Sequence, residues 1–103
     1  MDPLQTLTQI NLDDLIAAFG FGHQPTLNRA TRQLFHAPAR KFAQQVLDFD
    51  SAIAQRGLPT ASRQIERLYA RDVRVFCADR IPAGPILALA NHPGMTDTLA
   101  LFC

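Results

Sequence analysis

The 103-residue chain has little of several residue types that define common protein classes. It has no Trp, one Tyr and only two Cys, Cys77 and Cys103. Two cysteines cannot form a disulfide scaffold, so a reducing, cytoplasmic compartment is expected. The lack of a CxxC pair argues against a metal site that uses these thiols. Charged residues make up 18% of the chain, below the roughly 25% usual in soluble domains. This low fraction predicts that part of the surface is covered by something else.

Signals for targeting and for membrane spanning are also lacking. No Lys or Arg precedes Arg29, which excludes the basic start of a secretory or transit peptide. The charge-free run at residues 81–96 is interrupted by three prolines, and it is shorter than the ~20 apolar residues that cross a bilayer. Any membrane contact is therefore expected to be peripheral.

Helical periodicity dominates residues 1–70. Asn11 is predicted to cap the first helix, which Gly20 ends, and Pro38 is predicted to end a second helix or to open a third. A fourth helix is expected over about residues 60–70. The core face of the third helix is predicted to consist of Ala39, Phe42, Val46, Phe49 and Ile53.

The period changes after residue 70. Alternation at residues 73–77 and the continuous apolar run at residues 85–90 predict two strands, the second buried on both faces. A helix is expected to start at Asp97. The predicted fold class is therefore α/β, with a helical N-terminal region over residues 1–70 and the beginning of an α/β catalytic domain over residues 71–103. Because the chain stops inside an apolar stretch, we expect it to be the N-terminal piece of a longer protein.

The segment Asn91-His92-Pro93-Gly94-Met95-Thr96-Asp97 is where polar chemistry and turn residues converge. Pro93 and Gly94 can reverse the chain, and Thr96 can cap the following helix, so Asp97 can reach one ring nitrogen of His92. The other nitrogen is then a base for a hydroxyl group. The alternative is a histidine that only closes the turn.

The stretch from Ile81 to Asp97, with its Ile-Pro approach, apolar run and Asn-His-x4-Asp ending, resembles the first signature block of the glycerolipid acyltransferases. This superfamily contains the lysophosphatidate and glycerol-3-phosphate acyltransferases. The resemblance implies that His92 is the general base and that Asp97 orients it, while Asn91, Gly94 and Thr96 support the turn. No metal or cofactor is implied beyond the acyl donor.

By the same resemblance, a fatty acyl group would pass from acyl-CoA or acyl carrier protein to a hydroxyl of glycerol phosphate or a lysophospholipid. The family's later blocks, an arginine and a Glu-Gly segment that bind the acceptor phosphate, have no counterpart in these 103 residues. We therefore expect no transferase activity from this chain alone. The expected location is cytoplasmic, with peripheral contact to the membrane and without nucleic acid as a partner.

Two other functions stay open. One is a non-catalytic helical interaction module with a structural His92, and the other is an α/β thioester hydrolase that uses the same His/Asp pair. The arginine row Arg63, Arg67 and Arg71 suits either anionic head groups or a solvated helix face.

Overall fold

The computed structural model describes residues 2–91 and 99–103 of the chain. Three α-helices follow one another: α1 is Pro3–Phe19, α2 is Pro25–Arg56 and α3 is Leu58–Tyr69. A single 3-10 turn follows at Ala78–Arg80, and residues 99–101 are helical. The chain divides into two compact units, Met1–Ser51 and Ala52–Cys103. The two units are described separately below.

The first unit is a hairpin of α1 and most of α2. The buried residues of α1 are Thr8, Leu12 and Ile16, spaced four apart, so they lie in one stripe of the helix surface. Leu12 is the largest apolar side chain that is fully buried, and burying a leucine stabilises a fold by about 1.5–3 kcal/mol. The stripe on α1 therefore carries much of the apolar burial of this unit.

Gly20 ends α1, as the sequence predicts. It adopts the left-handed conformation with φ of 72°, and the backbone N–H groups of Gly20 and Phe21 donate to the carbonyl oxygens of Ala17 and Ile16 at 3.1 Å. These bonds satisfy carbonyl groups that the helix end leaves open, and glycine takes this conformation without a Cβ clash. The chain then turns within five residues into α2.

Two predictions about helix boundaries are wrong. Helix α1 begins at Pro3, so Asn11 lies inside it and caps nothing. Pro38 neither ends nor opens a helix, because it lies inside α2, which is 32 residues long. Proline in a helix interior removes one backbone hydrogen bond at a cost of about 3 kcal/mol, yet α2 continues through this position.

The predicted core of α2 is also wrong in detail. Thr31 and Ala43 are the buried residues of this helix, whereas Phe42 and Val46 are 41% and 38% exposed. Phe42 instead lines an open groove together with Leu12 and Leu15 of α1.

In the second unit, α3 buries Ala61, Ser62 and Glu66, and Leu99 is buried as well. Helix α3 begins within two residues of its predicted start. The buried side of α3 is thus partly polar. By contrast, Leu68 near the end of the helix is 65% exposed.

The α/β prediction is wrong for the part of the chain that the structure describes, which is helical and contains no strand. Residues 73–77 and 85–90 lie outside any helix or strand, and Phe76, Leu87 and Leu89 are 82%, 86% and 87% exposed. A strand exists only when its N–H and C=O groups pair with a neighbour. Apolar residues in a run of suitable length do not supply that neighbour.

Within the described residues, no helix is both long enough and apolar enough to cross a membrane.

Candidate functional site

Of the five residues predicted for the catalytic turn, the structure describes only Asn91. It is exposed and lies outside helices and strands. His92, Gly94, Thr96 and Asp97 lie outside the described residues. The pairing of His92 with Asp97 therefore stays a prediction from the sequence, while the strand that was expected to present Asn91 and His92 is not formed.

The two other histidines of the chain lie in the first unit. His23 and His36 are both exposed. Within residues 2–91 and 99–103, no group of three or more His, Cys, Asp and Glu side chains is placed to hold a metal ion.

A polar cluster that the sequence did not predict lies in the second unit. The Cys103 thiol donates a hydrogen bond to Oε2 of Glu66 at 3.0 Å, and the Arg63 guanidinium donates to the Cys103 carbonyl oxygen. Glu66 is only 8% exposed, and its other oxygen, Oε1, has no hydrogen-bond partner among the described residues. A buried carboxylate oxygen without a partner is costly, so this cluster is the most polar part of the buried surface.

The thiol in this cluster is held in its neutral form. Burial raises the pKa of Cys103 above its ordinary value of 9.0, and the hydrogen bond to Glu66 and the charge of Glu66 raise it further, whereas the charge of Arg63 acts in the opposite direction. A thiol whose pKa is raised is a poor nucleophile at neutral pH. Cys103 is therefore suited to a structural contact and not to nucleophilic catalysis.

The arginine row lies beside this cluster and lines a cavity. The cavity has a volume of about 220 Å³, and its lining includes Arg63, Arg67 and Arg71 together with Glu66 and Asp72. All three arginines are exposed. The cavity is thus open to solvent and lined by basic side chains along one side.

A second concavity lies in the first unit, between α1 and α2. It has a volume of about 430 Å³ and is mainly apolar, with Leu12, Leu15, Phe35 and Phe42 in its lining and Asp14 as its charged member. It lies beside the Phe19–Phe35 ring contact, whose centroids are 6.1 Å apart. Such a groove can accept an apolar side chain, but it brings no catalytic groups together.

Sequence periodicity could not have identified the buried polar residues. Ser62 and Glu66 lie at the edge of the apolar arc of α3, where the pattern allows either a buried or a solvated side chain. That Glu66 meets the Cys103 thiol depends on the folding of the second unit, because the two residues are 37 apart in the sequence.

Comparison of the chain with protein-family models, with curated proteins and with solved structures finds no match.

Proposed function

We propose that the chain supplies the His/Asp pair of an acyltransferase that moves a fatty acyl group from a thioester to a hydroxyl. The observation that carries the proposal is the sequence Asn91-His92-Pro93-Gly94-Met95-Thr96-Asp97. It carries a histidine and an aspartate five residues apart, with the turn-favouring Pro93 and Gly94 between them, and is similar to the first signature block of the glycerolipid acyltransferases.

The proposed chemistry needs one base and no covalent acyl-enzyme. A ring nitrogen of His92 accepts the proton of the acceptor hydroxyl as the hydroxyl oxygen attacks the thioester carbonyl carbon. The C–S bond breaks, and the leaving thiolate takes a proton from the imidazolium. Asp97 accepts a hydrogen bond from the other ring nitrogen, which fixes the tautomer and stabilises the charged ring.

The proposed donor is acyl-CoA or acyl carrier protein, and the proposed acceptor is a glycerol phosphate or a lysophospholipid. Neither a metal nor a further cofactor takes part. A lysophospholipid acceptor resides in a bilayer because of its acyl chain, so we propose a cytoplasmic protein that contacts the membrane peripherally.

Thioester release with a thiol-reactive dye tests the proposal. The chain is expressed together with any coding sequence that adjoins it in its gene, because the 103 residues alone are expected to be inactive. Release should require a lysophosphatidate or glycerol-3-phosphate acceptor and fall by at least about a hundredfold in His92→Ala. The matched control is His36→Ala, which removes an exposed histidine and should leave the rate unchanged.

Two results would contradict the proposal. Release that does not need an acceptor would identify a thioester hydrolase. Acceptor-dependent release that survives His92→Ala and Asp97→Asn would remove the pair from the chemistry.

A second candidate function is favoured by the exposure of apolar side chains over residues 73–89. Val75, Phe76, Leu87 and Leu89 are all at least 70% exposed, and large apolar surfaces of this kind mark interaction sites. We propose, as the alternative, a non-catalytic helical interaction module. If the unaltered protein, with His92 in place, releases no measurable thiol in the same assay, this alternative is favoured.

A further inference from the structure

We infer that Arg67 and Arg71, assisted by Arg63, form a binding site for a phosphate group. The site is the 220 Å³ cavity at the end of α3. This inference goes beyond the proposed acyl transfer and does not depend on it, because binding is measured without any reaction.

The first argument is the repetition of like charge. Arg63 and Arg67 are four residues apart in α3 and therefore lie on the same side of the helix, and Arg71 comes four residues later, beyond the end of the helix. Like charges at this spacing destabilise a helix slightly. The negative end of the helix dipole favours Arg67 in the last turn, but it does not account for Arg63 one turn earlier or for Arg71 outside the helix.

The second argument is that neither carboxylate of the lining is recorded in an ion pair with Arg67 or Arg71 among the described residues. Glu66 accepts the hydrogen bond of the Cys103 thiol, and Asp72 forms an ion pair with Arg74 at 3.0 Å. Among the described residues, the recorded ion pairs and hydrogen bonds leave Arg67 and Arg71 without an anionic partner. The lining therefore carries three arginines against two carboxylates, and neither Arg67 nor Arg71 is recorded in an ion pair among the described residues.

The third argument is the match of size and chemistry. A water molecule occupies about 30 Å³ in the liquid, so a 220 Å³ cavity has room for a phosphate group with several waters. Guanidinium groups bind phosphate oxygens through two parallel N–H···O bonds, a geometry that lysine cannot reproduce. The basic side of the cavity consists entirely of arginine, which fits phosphate better than a diffuse attraction to negative charge.

Isothermal titration of the chain with inorganic phosphate, at constant ionic strength and pH 7, tests the site. Saturable binding is expected, and the double variant Arg67→Gln/Arg71→Gln should weaken it by at least about tenfold. The matched control, Arg29→Gln/Arg56→Gln, removes the same charge from two exposed positions outside the cavity and should change the affinity by less than about twofold. Circular dichroism at 222 nm should be equal for all three proteins.

The conservative variant Arg67→Lys/Arg71→Lys separates geometry from charge. It keeps both positive charges and should still lose most of the phosphate affinity, because the paired N–H donors are lost. Equal phosphate affinity in the glutamine variant and its control would overturn the inference, as would the absence of saturable binding to the unaltered chain.

Vesicles of phosphatidylcholine with and without phosphatidic acid identify the source of the phosphate group. If the source is a lipid head group, the chain will sediment with phosphatidic acid vesicles, free phosphate will displace it, and the glutamine variant will stay in solution. Binding of inorganic phosphate without sedimentation would support a soluble phosphate ester as the ligand. Sedimentation that neither phosphate nor the glutamine variant reduces would show that the cavity does not hold the head group and would overturn the inference.

Discussion

The side-chain amide of Asn11 donates a hydrogen bond to the backbone carbonyl oxygen of Ala39 at 3.2 Å, across 28 residues of sequence. Ala39 directly follows Pro38, the proline inside α2. The bond therefore ties the middle of α1 to the part of α2 where proline removes a backbone donor. A polar contact at a defined pair of positions fixes how the two helices align, which an apolar stripe alone does less well.

Replacing Asn11 with alanine should lower the free energy of unfolding. The loss should be about 1 kcal/mol, the usual net contribution of a hydrogen bond, and urea denaturation followed by circular dichroism measures it. The control is Gln9→Ala, which alters an exposed polar residue of the same helix and should change stability by less than about 0.5 kcal/mol. Equal effects of the two substitutions would contradict a stabilising role for the Asn11–Ala39 bond.

Pro38→Ala should stabilise the protein. Alanine restores the backbone N–H inside α2 and removes the ring clash, and the gain, reduced by the greater freedom of the unfolded chain, should be about 1–3 kcal/mol. Pro25 is the matched control, because it occupies the first position of α2, where proline is well tolerated. Pro25→Ala should therefore give no comparable gain. A destabilised Pro38→Ala protein would mean that the proline is needed for the packing of α2.

The two glycines after α1 should respond differently to alanine. Gly20 has φ of 72°, whereas Gly22 does not adopt a left-handed conformation, and a Cβ atom at either position would meet no atom within 4 Å. The difference between them is therefore conformational and not steric. Gly20→Ala should cost about 1 kcal/mol, and Gly22→Ala should be neutral or slightly stabilising. Thermal unfolding of both variants measures the difference, and equal melting temperatures would contradict the αL turn.

The apolar run at residues 85–90 provides a direct test of the fold. Leu87 and Leu89 are almost fully exposed, so Leu87→Ser and Leu89→Ser should each change the free energy of unfolding by less than about 0.5 kcal/mol. If the run formed a strand buried on both faces, each change would cost several kcal/mol, in the range found for cavities in cores (about 2–5 kcal/mol). Leu12→Ser, at a buried position, supplies the large effect for comparison.

The Cys103 thiol should make stability depend on pH above neutrality. Its pKa is raised in the folded chain by burial and by Glu66, so the unfolded chain loses this proton at a lower pH than the folded chain does. The contribution of the Cys103 thiol to the free energy of unfolding is therefore fully present below the ordinary pKa of 9.0. This contribution is lost as the pH rises from there through the pKa of the folded chain.

Alkylation with iodoacetamide, followed by mass spectrometry, measures the same effect in Cys77→Ser protein. Cys103 should react more slowly than a free thiol at pH 8.5. Glu66→Gln should accelerate the reaction, because it removes the negative charge and the carboxylate acceptor that favour the neutral thiol. Unchanged alkylation in Glu66→Gln would show that the carboxylate does not act on the thiol.

Local signals in the sequence predicted much of the helical part. The end of α1 at Gly20 and the approximate extent of α3 follow from turn residues and from periodicity, because such boundaries depend on the backbone preferences of a few neighbouring residues. The continuity of α2 through Pro38 could not be predicted in this way. Proline lowers helix stability locally, so the residues around Pro38 by themselves favour a helix end there.

The predicted strands failed for a related reason. Alternation at Val73 and Val75 and the apolar run ending at Ala90 describe side chains suited to a sheet, but pairing with another strand is a property of the whole fold. The same distinction applies to the residues of the candidate site. The order of His92 and Asp97 and the arginine row are visible in the sequence, whereas the buried Glu66 and its thiol partner are not.

The sequence by itself determined that this chain is rich in amphipathic helix, that Arg63, Arg67 and Arg71 recur every four residues, and that His92 and Asp97 lie five residues apart. Those features depend on neighbours along the chain. The tertiary structure decided that α2 is one helix, that Asn11 bonds Ala39, and that the buried Glu66 accepts a hydrogen bond from the Cys103 thiol. These features depend on which residues meet across the fold, and that is fixed by the balance of burial and hydrogen bonding over the whole unit.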